Sequence, residues 1–292
     1  MKTRNIRERL IEKILLFCAV SSIGIVLFMV FSVAVEGFPA VIGWLANGFG
    51  MTWMPTEGQF GIVPYIFSTL YVGAGAMILS AAIGIPCAIY LAEFADPRLR
   101  NMIKPSLEML TGLPSVVLGL FGFILIVTMI ARYTGGGTGV LAAWIILAIM
   151  SLPHIASISE DAIRAVPADL REASLALGAT KWQTTAKVLL PVAKSGILAA
   201  LLLALGNAVG ETMAVIMVIG SRLTPPISFD PIQSSNVMTS MIAGEYAEVT
   251  WGGTHWQALF GVGFILFVMV GILNILTRRI VSGKSSKRSA NK

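Results

Sequence analysis

Charge is scarce in this sequence. Asp, Glu, Lys and Arg make up 12% of the 292 residues, against 56% hydrophobic, where a soluble protein carries about 25% charged residues. Long uncharged runs spread over the whole chain leave no stretch able to form a separate water-soluble domain. Cysteine is nearly absent: Cys18 and Cys87 both lie inside apolar runs and speak for packing rather than for a disulfide or metal site. Histidine is confined to His154 and His255, far apart, in no HExxH pattern and with no carboxylate spacing that would hold a metal. Both are expected as interfacial histidines near opposite faces. A P-loop requires Gly, four residues, then Gly-Lys-Ser/Thr opening a helix. The single echo, Gly283-Lys284-Ser285, has Arg278 at the first Gly position and too few residues after it. A GxSxG elbow and a clustered Ser, His and Asp set are also missing, so the chain is not expected to be an enzyme.

What is present is apolar length. A helix crossing a hydrocarbon core needs roughly 20 apolar residues, and six runs qualify: Ile14 to Val35, Val63 to Leu91, Met109 to Ala131, Gly139 to Ser157, Ser195 to Gly220 and Trp256 to Thr277. The expected fold is an all-α polytopic membrane protein, a six-helix transmembrane bundle over residues 14–277 between basic segments 1–13 and 278–292. Of the 21 Lys and Arg residues, 19 fall in the two termini and in the connections after spans two and four. By the positive-inside rule both termini are cytoplasmic, in a cell (inner) membrane. The net charge of +6 therefore follows the membrane, and no nucleic acid is implied. Trp44, Trp53, Trp251 and Trp256 fall near outer boundaries, where indole rings anchor at headgroup level. The outer segment Glu36 to Ile62 is too broken for a span and reads as surface-lying. Ser221 to Thr250 is polar, contains Pro225, Pro226 and Pro231, and is long enough to cover the external mouth of a bundle. The Gly135, Gly136, Gly137, Gly139 cluster reads as a tight external turn.

The connection from about 159 to 195 holds most of the information. Pro167 marks a helix start before Ala168 to Leu177, on which Leu170, Ala173, Ser174 and Leu177 share a shallow apolar face while Arg171 and Glu172 point elsewhere. Gly178 stops that helix, and a second helical stretch runs from Lys181 through Leu190 to Pro191. Spacing alone leaves two readings open, a docking surface and an ordinary amphipathic loop packed on its own bundle.

The residues themselves are more specific. Glu172-Ala173-Ser174, three residues, Gly178, and further on Leu190-Pro191 resemble the EAA loop of ABC importer permeases, with Ser174 at the second Ala of that pattern. The resemblance implies that this short helix fits a groove on a cytoplasmic ATPase, with Glu172, Ala173, Ser174, Leu177, Gly178, Leu190 and Pro191 as the docking residues. Gly178 would supply the turn that lets the helix lie along the membrane.

One ionisable residue falls inside a span, Glu211, and such a residue marks a pathway or a satisfied internal bond. Asn207 lies four residues before it on the same helix face, near the middle of the span, with Glu211 about 6 Å further out. Gly206 and Gly210 form a GxxxG pair that lets another helix approach. The string Gly210-Glu211-Thr212-Met213-Ala214-Val215, together with Leu113-Pro114-Ser115-Val116-Val117-Leu118-Gly119-Leu120, resembles the phosphate-specific permease subunits of PstC type, over about Ile62 to Thr277. That resemblance implies a type I ABC importer permease (MetI-like) architecture and ATP-driven phosphate import. It also implies a second homologous permease subunit, two ATP-binding subunits carrying the ATP and Mg, and an external substrate-binding protein. Asn207, Glu211 and Thr212 would then line or gate the path. The common form of that family has Arg where this chain has Asn207, so the anion-binding charge comes from a partner Arg, from Arg222 or from the binding protein. The departure also keeps sulfate, molybdate and tungstate open as substrates. A stand-alone carrier would need no docking loop and often shows inverted repeats.

Overall fold

The computed structural model describes residues 2–222, 225 and 227–282, without the side chains of 2–7, 9, 277, 278 and 280–282. Pro226, Lys284, Lys287, Arg288, Lys292 and the Gly283-Lys284-Ser285 echo lie outside the described residues. So do the side chains of Lys2, Arg4, Arg7, Arg9 and Arg278.

Six helices among the described residues are long and apolar enough to cross a membrane. They belong to α1 (Lys2–Asn47), α2 (Val63–Phe94), α4 (Ser115–Thr134), α5 (Val140–Arg164), α7 (Lys181–Gly210) and α10 (Thr254–Ser282). Shorter helices join them: α3 (Pro97–Thr111), α6 (Ala168–Ala176), α8 (Met213–Val218) and α9 (Met238–Glu245). A two-residue antiparallel pair, β1 (Trp53–Met54) with β2 (Gln59–Phe60), is the only sheet among the described residues. α5 is the central helix, packed on α2, α7, α3 and α8, while α1 lies on α10.

All six expected spans are there, but several boundaries differ. α1 continues past Val35 through Pro39 to Asn47, so the stretch expected to lie on the surface begins only after Asn47. Its approach to α10 is at backbone distance. A Cβ on Gly37 would sit 2.7 Å from backbone atoms of Phe260 and Gly261. The third span starts at Ser115 rather than Met109, because Pro114 precedes it and Pro97–Thr111 forms a separate helix. That helix is opened by Asp96, which accepts the Arg98 N–H at 3.2 Å, and by Pro97 at its first position.

The tryptophans also differ from expectation. Trp53 is fully buried and Trp44 and Trp256 nearly so; Trp251 alone of the four is exposed. Each buried indole N–H has a fixed acceptor, which explains why it sits in protein rather than at the headgroups. Trp53 donates to Glu245 at 3.0 and 3.1 Å, Trp44 to the Phe60 carbonyl at 2.7 Å, and Trp256 to Glu36 at 3.2 Å. His255 joins this cluster, 2.7 Å from Glu245.

The segment expected to cover the mouth instead turns back into the bundle. Leu141 N–H donates to Pro231 O at 2.7 Å, Ser235 N–H to Ile219 O at 3.1 Å, and Met238 N–H to the Thr69 hydroxyl at 3.0 Å. Ser235, Asn236, Thr239 and Ser240 are buried. Irregular backbone at this depth is sustained only where protein groups satisfy it, and here they do.

Candidate functional site

Basic residues gather where α3 packs on the end of α5. Glu160, near the end of α5, is 0% exposed. It accepts from Arg100 Nε at 2.8 Å and Lys104 Nζ at 2.6 Å, with Arg164 Nε at 3.5 Å. Lys104 also bonds Asp161, and the Ser157 hydroxyl donates to Glu108 at 3.1 Å. Burial alone would lower the Lys104 ammonium pKa, but hydrogen bonds to Asp161 and Glu160 hold it above its usual range. This clamp seats α3 on α5. Sequence reading missed it, although Arg100 and Lys104 at i,i+4 facing an acidic pair could have signalled it.

Helix α6 is held one step further on. It starts after Pro167 and ends at Ala176, capped by Leu177, and Gly178 follows with φ +82, the left-handed conformation that favours glycine. The expected stop at Gly178 is therefore present. The expected apolar face is split. Leu170, Glu172, Ala173 and Leu175 face outward, with Leu177 89% exposed. Ser174 faces inward, its hydroxyl 3.0 Å from that of Thr184. Arg171, expected to point away with Glu172, instead pairs with Glu93 at the end of α2.

The second helical stretch is not separate. A capping box of Thr180 and Gln183 starts α7, which runs unbroken to Gly210. Pro191, lacking an N–H, is accommodated just past a π-turn at Thr185–Leu189. Leu190 packs with Ile163, Leu189 and Ala193. The connection expected from 159 to 195 is thus shorter, because its ends belong to α5 and α7.

The fifth span breaks where Glu211 stands. Helix α7 ends at Gly210, Glu211 is extended (φ −69, ψ 130), and α8 begins at Met213. Asn207 therefore lies in the last turn of α7, not at mid-span. Glu211 repairs the break. One carboxylate oxygen accepts the Ala214 N–H at 3.1 Å, capping α8, and its carbonyl accepts the Thr239 hydroxyl at 2.9 Å. Thr212 donates to Gly210 O at 3.3 Å. Asn207 and Glu211 line a cavity of about 400 Å³ shared with Ser151 and His154 of α5. His154 thus belongs to this cavity rather than to an interface, which its isolated position in the sequence did not disclose. Gly206 and Gly210 also line it, and a Cβ at either would meet nothing within 4 Å. Among the described residues, the GxxxG pair brings no other helix close.

Residues 84–282 match the family described as binding-protein-dependent transport system inner membrane component. The chain is 37% identical to the "Probable ABC transporter permease protein YqgH" of Bacillus subtilis (strain 168), over 86% of this chain and 85% of that one. It is 30% identical to the phosphate transport system permease protein PstC of Xylella fastidiosa (strain Temecula1 / ATCC 700964), over 80% and 78% of the two chains. Among solved structures, the inward-facing MetNI methionine ABC transporter aligns with a TM-score of 0.61 at 22% identity, covering 78% of this chain and 97% of that one. That likeness bears out the fold, and the resemblance to PstC-type permeases is borne out by the sequence relatives. With six membrane-length helices in that arrangement, the chain belongs to the family of inner membrane components of binding-protein-dependent transport systems, as a multi-pass ABC importer permease.

Proposed function

We propose that this chain is one permease subunit of an ATP-driven importer of inorganic phosphate. It forms half of the path and pairs with a second homologous permease subunit, two cytoplasmic ATP-binding subunits that carry the ATP and Mg, and an external substrate-binding protein. Both termini face the cytoplasm, as the distribution of Lys and Arg demands. The observation that carries the reading is a continuity. Helix α7 begins against the inner face of α6, where Ser174 meets Thr184, and ends at the Glu211 break, so one element joins the back of a docking helix to a polar cavity. Glu172, Ala173, Leu177 and Gly178 form the ATPase contact, Ser174 ties that contact to α7, and Leu190-Pro191 seats α7 beneath it. Phosphate as cargo is supported by the PstC relatives.

Within the cavity, Asn207 offers neutral donors where an Arg would offer charge and bidentate bonds. An ionised Glu211 repels a free anion. Glu211 therefore serves best as a closure, paired with a partner-subunit Arg until ATP drives the path open. Asn207 is also what favours a second reading, in which the cargo is sulfate, molybdate or tungstate.

Radiolabelled phosphate uptake, in cells lacking the chain and cells with it restored, tests both readings with excess unlabelled sulfate, molybdate and tungstate as competitors. Restored uptake that resists all three is expected. Competition by one of them moves the cargo to that oxyanion. In the same assay Glu211→Gln, which keeps an acceptor for the Ala214 N–H but loses the charge, is expected to abolish uptake without loss of protein. Full uptake would remove the gating role and leave the cap.

A further inference from the structure

The inner face of α6 is fastened at two points to two different spans. Arg171 reaches Glu93, whose side chain is 5% exposed, in the terminal π-turn Tyr90–Phe94 of α2. One turn further on, Ser174 meets Thr184 at the start of α7. The two anchoring points are themselves joined. Lys181 Nζ lies 5.3 Å from the Phe94 ring centroid, and Phe94 and Trp182 have ring centroids 6.4 Å apart. Arg171 is the only basic residue of α6, and its Nε is buried without a hydrogen-bond partner among the described residues. Among the described residues, the Arg171–Glu93 pair is the one ion pair that ties α6 to another helix.

We propose that the Arg171–Glu93 ion pair is the latch that carries movement of α6 into α2, so that α2 and α7 are displaced together when α6 is pushed or pulled. Without it, α6 would remain joined to α7 through Ser174 but would slide past α2. A charge pair suits this role because it is directional and sits where α2 is widened into a π-turn, a geometry that recurs at functional sites. The residues facing outward remain available to the ATPase, so docking and transmission use opposite faces of one short helix. The inference rests on the importer reading above, with Arg171 and Glu93 as positioning residues that touch neither cargo nor nucleotide.

The test uses the assembled importer, purified with its partner subunits and reconstituted into liposomes, carrying Glu93→Gln, Arg171→Ala, or the exchange Glu93→Arg with Arg171→Glu. Three quantities are read: ATPase subunit recovered with the chain, ATP hydrolysis with and without loaded binding protein, and phosphate uptake. Each single variant is expected to keep the ATPase subunit and the unstimulated hydrolysis. Uptake and stimulation by the binding protein are expected to fall about tenfold, the size of a typical coupling between sites. The exchange restores at least half of both. Wild-type stimulation and uptake in the single variants, loss of uptake only in proportion to lost ATPase subunit, or no recovery in the exchange each overturn the latch. Failure of the unmodified chain to recover any ATPase subunit overturns the importer reading itself, and the latch with it.

Discussion

Glu160 and Glu211 show how differently two carboxylates can be used in one bundle. Glu160 is wholly buried yet surrounded by Arg100, Lys104 and Arg164, so its charge is spent on holding α3 against α5. Removing one partner of a buried ion pair leaves the others desolvated and uncompensated, at a cost of about 3 kcal/mol where the cations keep some access to water. Glu160→Ala is therefore expected to lower the thermal aggregation midpoint in mild detergent by several degrees, and Glu160→Gln, which still accepts hydrogen bonds, by less. An unchanged midpoint in the alanine variant would mean that α3 is held by other contacts. Glu211 has one oxygen committed to the Ala214 N–H and faces the cavity shared with Asn207 and His154. Glu211→Ala removes the cap as well as the charge, costing about 1 kcal/mol for the cap. The alanine variant should thus be less stable than Glu211→Gln in the same detergent, and equal midpoints would show that the cap bond contributes nothing.

At the scale of elements, apolar run length located all six spans, because the middle of each is uniformly apolar and a bilayer demands that length. Its failures lie at the ends: α1 runs on to Asn47, Pro114 delays the third span to Ser115, and α5 and α7 extend through polar residues that find partners. α5 continues past Ser157 because Glu160 and Asp161 find Arg100 and Lys104, and α7 begins as early as Lys181 because Thr180 and Gln183 cap it and Thr184 meets Ser174. The interruption of the fifth span was hidden for the opposite reason. Met213 to Gly220 is as apolar as the helix before it, so hydropathy reads straight through. The signal available was Gly210 followed by Glu211 and Thr212, a stop followed by a capping carboxylate. Arg171 and Ser174 could not be assigned to the inner face from α6 alone, since their partners lie in α2 and α7. Gly178, by contrast, was legible from its place in the motif. Its φ of +82, with open space around the missing Cβ, makes the cost of substitution conformational, about 1 to 2 kcal/mol for a residue with a Cβ. Gly178→Val should weaken recovery of the ATPase subunit in pull-down more than Gly178→Asn, because Asn enters this conformation more readily. Equal recovery in the two would show that the turn at Gly178 does not set the docking geometry.

Across the whole molecule, burial is uneven in a way that separates lipid from protein surroundings. The most apolar window of α1 has no buried residue, and half of that of α5 is buried. The exposed side chains of α1 include Leu15, Phe17, Phe28 and Phe31, which hydrocarbon covers at no cost. The exposed face at the end of α7 is of another kind, because Asn207 is exposed there between Gly206 and Gly210. An amide side chain left in hydrocarbon without a partner is unfavourable, and hydrogen bonds between helices in membranes are worth about 1 to 2 kcal/mol in simple systems. That face therefore requires either water or protein against it, as half of a path closed by a second permease subunit provides. Asn207→Leu should then have opposite effects in two settings. In the chain purified alone it is expected to raise the thermal midpoint in detergent, because an unpaired amide is replaced by an apolar group of similar size. In the assembled importer it is expected to cut uptake at least tenfold, because a donor in the path is lost. A raised midpoint accompanied by undiminished uptake would mean that lipid, and no path, lies against Asn207.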